Sequence, residues 1–182
     1  MSKIIFLCFD CARSPRPPEI SVADVMVEIW RPELQPLPPP CALGLGARMV
    51  WPAFHFLGIF RNRDLAMVRL EQETRCVHRT ILFPPFFRFP FMQRSDLQCG
   101  DIWTDPAERH RGLAAAGVTA ALHHAWQPGR KIWYLTEAAN EPSLRLAERA
   151  GFQPVGHGRR TRRLGLKIFG QFVVTTLSHP IR

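Results

Sequence analysis

At 182 residues the chain is long enough to close one full hydrophobic core and short for two. A hydrophobic content of 46% with 21% charged residues reads as an ordinary globular domain. The net charge of +9 is not ordinary: it draws polyanions, whether a nucleotide-linked ligand, nucleic acid or an anionic membrane face, although arginines outside a motif read equally well as a solvated surface. Five cysteines, an odd number, argue against a disulfide framework and fit a reducing cytoplasm.

The chain order begins with weak signals. Residues 1–20 hold Pro15, Pro17 and Pro18 without useful periodicity and read as a loose N-terminal segment, leaving 21–182 as a single domain. The apolar run Ile4 to Phe9 is too short for a secretory signal and stops at Asp10. Cys8-x-x-Cys11 has no second pair at ligand spacing, so neither this pair nor any other cluster reads as a metal site. The proline-rich stretch 32–40 is expected to link two weak helical segments. Cys41 to Phe60 approaches transmembrane length, but Arg48, Pro52 and His55 interrupt it; a buried amphipathic helix is the expectation, with peripheral membrane contact through 41–60 left open. Gly44-Leu45-Gly46 begins like a dinucleotide fingerprint, yet Met49 stands in the third glycine position and prolines replace the preceding strand.

From Leu65 the pattern sharpens. Residues 65–70 and 76–82 form an expected antiparallel hairpin around a polar turn. The following run, Phe83 to Met92, mixes five phenylalanines with three prolines and excludes a central strand. It reads as an aromatic wall for a ligand or as core packing under an irregular loop. Asp96 to Thr104 is a third strand, followed by the turn Asp105-Pro106-Ala107-Glu108-Arg109-His110-Arg111-Gly112 and a helix from Leu113 to Trp126, stopped at Pro128-Gly129. A strand over 132–136 comes next. Asn140 then caps a helix that ends at Gly151, and two strands at 152–155 and 167–176 flank the basic turn Arg159 to Arg163. A hairpin, alternating strands and helices, and a closing hairpin indicate a mixed α/β sheet.

The turn before Leu113 carries the most chemistry. The first backbone N–H groups of a helix have no intrahelical partner, and the helix dipole adds positive potential there, so a phosphate suits the position. Arg109 and Arg111 can fork onto its oxygens. A competing local signal, Asp105-Pro106-x-Glu108, reads as a capped helix start at 106, which would place Gly112 badly inside a helix.

Arg109-x-x-Gly112-x-Ala114 resembles the (Gln/Arg)-x-x-Gly-x-(Gly/Ala) signature of the GCN5-related N-acetyltransferase (GNAT) superfamily. Asn140 to Phe152, with Asn140-x-x-Ser143 and a Gly151-Phe152 ending, is similar to the family's second motif. The resemblance covers roughly residues 65–160. It implies the acyl-CoA N-acyltransferase fold: a mixed, mostly antiparallel sheet with central splayed parallel strands flanked by helices. It implies acetyl-CoA as co-substrate, with the N–H groups of Arg111, Gly112, Leu113 and Ala114 on the pyrophosphate and Arg109 beside it. Backbone groups of Ile102 and Thr104 would pair with the pantetheine arm, and Asn140 and Ser143 belong to the second part of the binding site.

The base and acid are harder to place. Alternation puts Asp96, Gln98, Gly100, Ile102 and Thr104 on one strand face. Many family members carry a glutamate where Gln98 stands, and glutamine cannot accept a proton. Asp96 shares that face; Asp101 and His78 are further candidates, acting through water. The family's helix tyrosine is replaced by Ala147. The expected function is therefore transfer of an acetyl or short acyl group to a primary amine of a small, acidic acceptor, such as a nucleotide-linked amino sugar. The alternative is a non-catalytic acyl-CoA-binding sensor of the same fold, and nucleic acid is a disfavoured partner for lack of a motif.

Overall fold

A computed structural model describes residues 3–161 and 170–177. Among the described residues there are eight strands: β1 (Ile4–Asp10), β2 (Met26–Trp30), β3 (Ala66–Gln72), β4 (Arg75–Phe83), β5 (Leu97–Thr104), β6 (Lys131–Glu137), β7 (Gln153–Arg160) and β8 (Phe172–Leu177). Three helices join them: α1 (Leu45–Phe56), α2 (Leu113–Ala125) and α3 (Glu141–Arg149). The strands make one sheet in the order β2-β3-β4-β5-β6-β1-β7-β8, antiparallel except for the β5–β6 pair. This is the expected mixed α/β fold, with helices on both faces.

The first twenty residues are not uniformly loose. Ile4 to Asp10 is an interior strand between β6 and β7, with partners along both edges. Its residues are buried on both faces, so the apolar run shows no alternation and carries no periodic signature. The prolines behind it belong to a segment that folds along the end of α2. There Trp126 Nε1 donates to the Ser14 carbonyl at 3.2 Å, and His123 Nδ1 lies 2.7 Å from the Pro17 carbonyl.

Two further expectations change. The segment before the proline-rich stretch is not helical: Met26–Trp30 is the edge strand β2, paired with β3. The basic turn at 159–163 is partly strand, because β7 runs on to Arg160; Arg162, Arg163 and 167–169 lie outside the described residues.

The cysteine count also misleads. Cys41 and Cys76 form a disulfide with a Cα–Cα distance of 5.3 Å, while Cys8, Cys11 and Cys99 are free and buried. An odd count excludes complete pairing, not one pair. Burial pushes the Cys8 and Cys99 thiols up to about 12, so both stay protonated and unreactive.

Each sheet face has its own core. Under α2 and α3 lie Leu82, Leu97, Cys99, Val118, Leu122 and Phe152. The opposite face packs Met67, Ile81, Phe83, Phe86 and Trp133 beneath α1 and the 84–92 loop. Trp51 and Phe54 of α1 meet Phe86 edge to face at 6.3 and 5.9 Å, which seats the helix over the phenylalanine-rich loop. The outward side of α1 leaves Leu45, Met49 and Phe56 exposed. No helix among the described residues is long and apolar enough to cross a membrane.

Candidate active site

The site begins where β5 and β6 part. Leu97, Gln98 and Cys99 pair with Ile132, Trp133 and Tyr134, and the parallel register stops there. Beyond it, among the described residues, β5 is paired only with β4 and β6 only with β1. The β6-facing backbone of Asp101 to Thr104 is thereby left open along one wall of a gap.

A bulge sets which side chains face which way. Between the Ile81–Gly100 and Arg79–Trp103 pairs one extra residue enters β5, and Asp101 takes φ 46°. Simple alternation therefore fails across it. Gln98 lines the cleft on the α1 face, whereas Ile102 packs into the core beneath α2 and Thr104 hydrogen-bonds His78 on the same side. Asp101, expected on the opposite face from Gln98, lines the same cleft.

This separates the four candidates for proton transfer. Asp96 is 1% exposed and its carboxylate already accepts from Trp133 Nε1 at 2.9 Å, the Gln93 N–H at 2.9 Å and the Lys131 N–H at 3.3 Å. It anchors the loop before β5 and does not face the gap. His78 is fully buried, with Nδ1 2.8 Å from Thr104 Oγ1 and Nε2 2.9 Å from Thr80 Oγ1. Burial and then the nearby Arg79 charge lower its pKa to about 4, so it is neutral. A Cβ at Gly117 of α2 would come within 2.2 Å of its ring, so the histidine is clamped under the helix. Gln98 and Asp101 remain at the gap. Gln98 turns its amide over Gly100, where a Cβ would lie 2.3 Å from Nε2. Asp101 accepts from Arg79 at 3.0 Å.

The phosphate turn resolves the two competing local signals by using both. Asp105 caps a short 3₁₀ turn over Pro106–Glu108, accepting from the Ala107 N–H at 2.9 Å. The chain then reverses through His110 (φ 65°) and Gly112 (φ 78°), and α2 starts at Leu113. No side chain caps that helix and its first turn holds no acidic residue, so its leading N–H groups and positive dipole end are available to an anion. Arg109 is exposed and makes no ion pair among the described residues, whereas Arg111 pairs with Glu108, which also takes Arg75. Those hydrogen bonds, Arg111 first, hold the Glu108 carboxyl below its ordinary range.

On the far side of the gap, Asn140 caps α3 by accepting from the Ser143 N–H at 3.2 Å. Ser143 Oγ lies 2.8 Å from the hydroxyl of Tyr134. Burial raises Tyr134 to about 12. This tyrosine, which no motif in the sequence marks, closes the parallel pairing and reaches α3.

The opposite opening is a cleft of about 690 Å³. Its floor is Gln98 and Asp101 of β5 with Leu135 to Glu137 of β6; Trp51, Phe83, Phe86 and Phe89 form one wall, and Arg88, Arg160 and Phe172 close the end. The aromatic run at 83–92 is thus both core and cleft wall. Glu137, Arg88 and Arg160 were not legible as site residues, because they come together only through the strand order.

The sequence profile described as "Acetyltransferase (GNAT) family" matches residues 42–152, more than half of the chain. The chain belongs to the GNAT family. An acetyltransferase of the GNAT family from Colwellia psychrerythraea is similar in fold, at 15% identity and a TM-score of 0.54, with 86% of this chain and 54% of that one covered. A GCN5-related N-acetyltransferase from Kribbella flavida gives 14% identity and a TM-score of 0.51 over 85% of this chain and 55% of its own. A tandem GNAT protein from the clavulanic acid biosynthesis pathway gives 13% and 0.56 over 85% and 50%. At such identities the likeness is one of fold, and this GNAT chain spans about half the length of these three structures. No curated protein matches the sequence. Acyl transfer is the general activity of the GNAT family, and acetyl-CoA is its co-substrate.

Proposed function

We propose that this protein moves an acetyl or short acyl group from acyl-coenzyme A to the primary amine of a small acceptor bearing an acidic group. The observation that carries the reading is the opening between β5 and β6 beyond Cys99 and Tyr134, with an uncapped helix start at one mouth and a polar, aromatic cleft at the other. A thioester held in that gap meets an amine arriving from the cleft, which supplies the proximity that acyl transfer needs.

In this reading the N–H groups of residues 111–114 and the Arg109 side chain hold the pyrophosphate. The open edge at Ile102 and Thr104 pairs with the pantetheine arm, an N–H there polarises the carbonyl, and Asn140 and Ser143 border the arm from α3. The amine lone pair attacks the carbonyl carbon, a C–N bond forms, and the C–S bond breaks with its electron pair going to sulfur. The proton lost from nitrogen passes through water to Asp101, and the departing thiolate takes one from Tyr134.

Turnover tests the reading. Purified protein is mixed with acetyl-CoA and a panel of small primary amines, and free thiol is measured together with the mass of the acylated amine. Stoichiometric thiol and a product heavier by one acetyl group support transfer. A protein that binds acetyl-CoA but acylates no amine in the panel contradicts it.

A further inference from the structure

The chain leaves its large apolar side chains uncovered in one region above all. Of the eleven large hydrophobic residues exposed among the described residues, eight fall between Leu34 and Ile59. The geometry of α1 shows why. At about 100° per residue, Leu45, Phe56, Met49, Ala53, Gly46 and Val50 follow one another around a single arc of about 140°, and all six are exposed. Trp51, Phe54 and the buried His55 occupy the opposite arc. A surface helix ordinarily turns charged or polar residues to water; the outer arc of α1 holds none.

The turns at either end extend this arc. Arg48 Nε donates to the Pro38 carbonyl at 2.9 Å, which holds the loop bearing Leu34 and Leu37 against the helix. At the other end the Ile59 N–H donates to the Phe54 carbonyl at 2.9 Å, so Leu57, 74% exposed, and Ile59 close the last turn. The charge here has one sign. No acidic residue occurs between Glu33 and Asp64. Glu33 lies 2.8 Å from His55 on the inner arc, and Asp64 pairs with Arg130. Arg61, Arg63 and Arg94 are exposed just past the helix end, where Arg94 Nε donates to the Arg61 carbonyl at 3.1 Å.

An apolar arc flanked by arginines fits the boundary between acyl chains and acidic headgroups. The arc carries no side chain able to hydrogen-bond, whereas protein interfaces make about one hydrogen bond per 100–200 Å². A second copy docked face to face would set the same arginines against each other. At 12 residues α1 is about 18 Å long, too short to cross a hydrocarbon core of roughly 30 Å, so on a membrane it lies flat. We propose that α1 and the turns at either end form a peripheral docking surface for an anionic lipid bilayer. The arc rests on the acyl boundary, and Arg61, Arg63 and Arg94 meet the headgroups. Trp51 of the inner arc lines the cleft, so the docked helix stands between bilayer and cleft. Docking of this kind is independent of acyl transfer.

The test is co-sedimentation of the full chain with vesicles of phosphatidylcholine alone and of equal parts phosphatidylcholine and phosphatidylglycerol. Binding to the anionic vesicles is expected to be at least about tenfold tighter. Arg61→Gln with Arg63→Gln reduces that preference. Met49→Gln with Phe56→Gln leaves the net charge at +9 and removes apolar contact, so it is expected to weaken binding to anionic vesicles at least about tenfold. All four positions are exposed, and each variant is checked for an unchanged melting profile. Binding that survives Met49→Gln with Phe56→Gln in folded protein is adsorption of a basic surface and overturns the proposal. Equal affinity for the two vesicles, no binding to either, or a preference untouched by the arginine variant overturns it as well. So does a dimer in light scattering that Met49→Gln with Phe56→Gln dissociates, which gives the arc to a second copy.

Discussion

Arg79 donates to the Asp101 carboxylate at 3.0 Å across the bulge that separates the two halves of β5. The same guanidinium donates to the Cys41 carbonyl at 2.7 Å and lies 5.6 Å from the Trp103 ring. One buried arginine thus ties the disulfide loop to a carboxylate at the mouth of the gap and fixes where that carboxylate points. Asp101→Asn keeps the size of the side chain and removes its basicity. It is expected to lower kcat about 100-fold while the affinity for acetyl-CoA in a titration stays unchanged. Asp96→Asn is the contrast: it disturbs a buried carboxylate that accepts three hydrogen bonds, so Tm falls and kcat at low temperature is spared. A kcat unmoved by Asp101→Asn removes the residue from the proton path.

Tyr134 offers a proton on the other side of the gap, steadied by Ser143 at 2.8 Å. Because burial keeps its pKa near 12, the hydroxyl is protonated throughout the neutral range and adds no limb to the pH–rate profile between pH 6 and 9. Tyr134→Phe is expected to lower kcat about tenfold without changing the shape of that profile. An unchanged kcat means that the thiolate leaves unaided.

The buried His78 makes stability depend on acid. Its folded pKa is about 4 against an ordinary 6.5, so between those values the unfolded chain binds a proton that the folded one refuses. The contribution is complete above pH 6.5 and is lost as pH falls towards 4, a decline of about 3 kcal/mol. His124, lowered to about 4 by burial and then by Arg31, adds in the same direction. Denaturant midpoints across this window should fall with acid, and His78→Gln should flatten part of the slope. A wild-type stability that stays level down to pH 4 contradicts the buried placement of His78.

Cys41 and Cys76 are 35 residues apart, and their bond restrains the unfolded chain over that loop, which contains α1 and β3. Reduction, or Cys41→Ser with Cys76→Ser, is expected to cost about 3 kcal/mol, or roughly 6–12 °C in Tm. Thermal melts with and without dithiothreitol measure it directly. Identical melts mean that the two thiols are not joined in solution.

Much of the catalytic half was legible because its signals are local. Gly112 and Gly151 mark places where only a left-handed residue closes the turn, Asn140 is a cap, and the apolar residues of β3, β4 and β6 stand between unmistakable breakers. What escaped depends on partners distant in the chain. β1 is an unpatterned apolar run whose two neighbours begin more than a hundred residues later. β2 gains its strand character from β3. The faces of Ile102, Thr104 and Asp101 follow from a bulge, and no residue type announces a bulge. Arg88, Arg160 and Glu137 share a cleft only because β1 lies between β6 and β7.

The most direct measurement is calorimetric titration of acetyl-CoA into the intact protein and into the double variant Arg109→Ala, Gly112→Asp. The variant removes the arginine at the turn that makes no ion pair among the described residues, and places a carboxylate where the helix start should meet phosphate, at a position whose φ of 78° disfavours a side chain. The expected result is binding by the intact protein that weakens about 100-fold or more in the variant, with its melting profile otherwise preserved. Absence of binding heat from the intact protein, or equal affinity in the variant, would contradict the assignment of this turn as the acyl-CoA cradle.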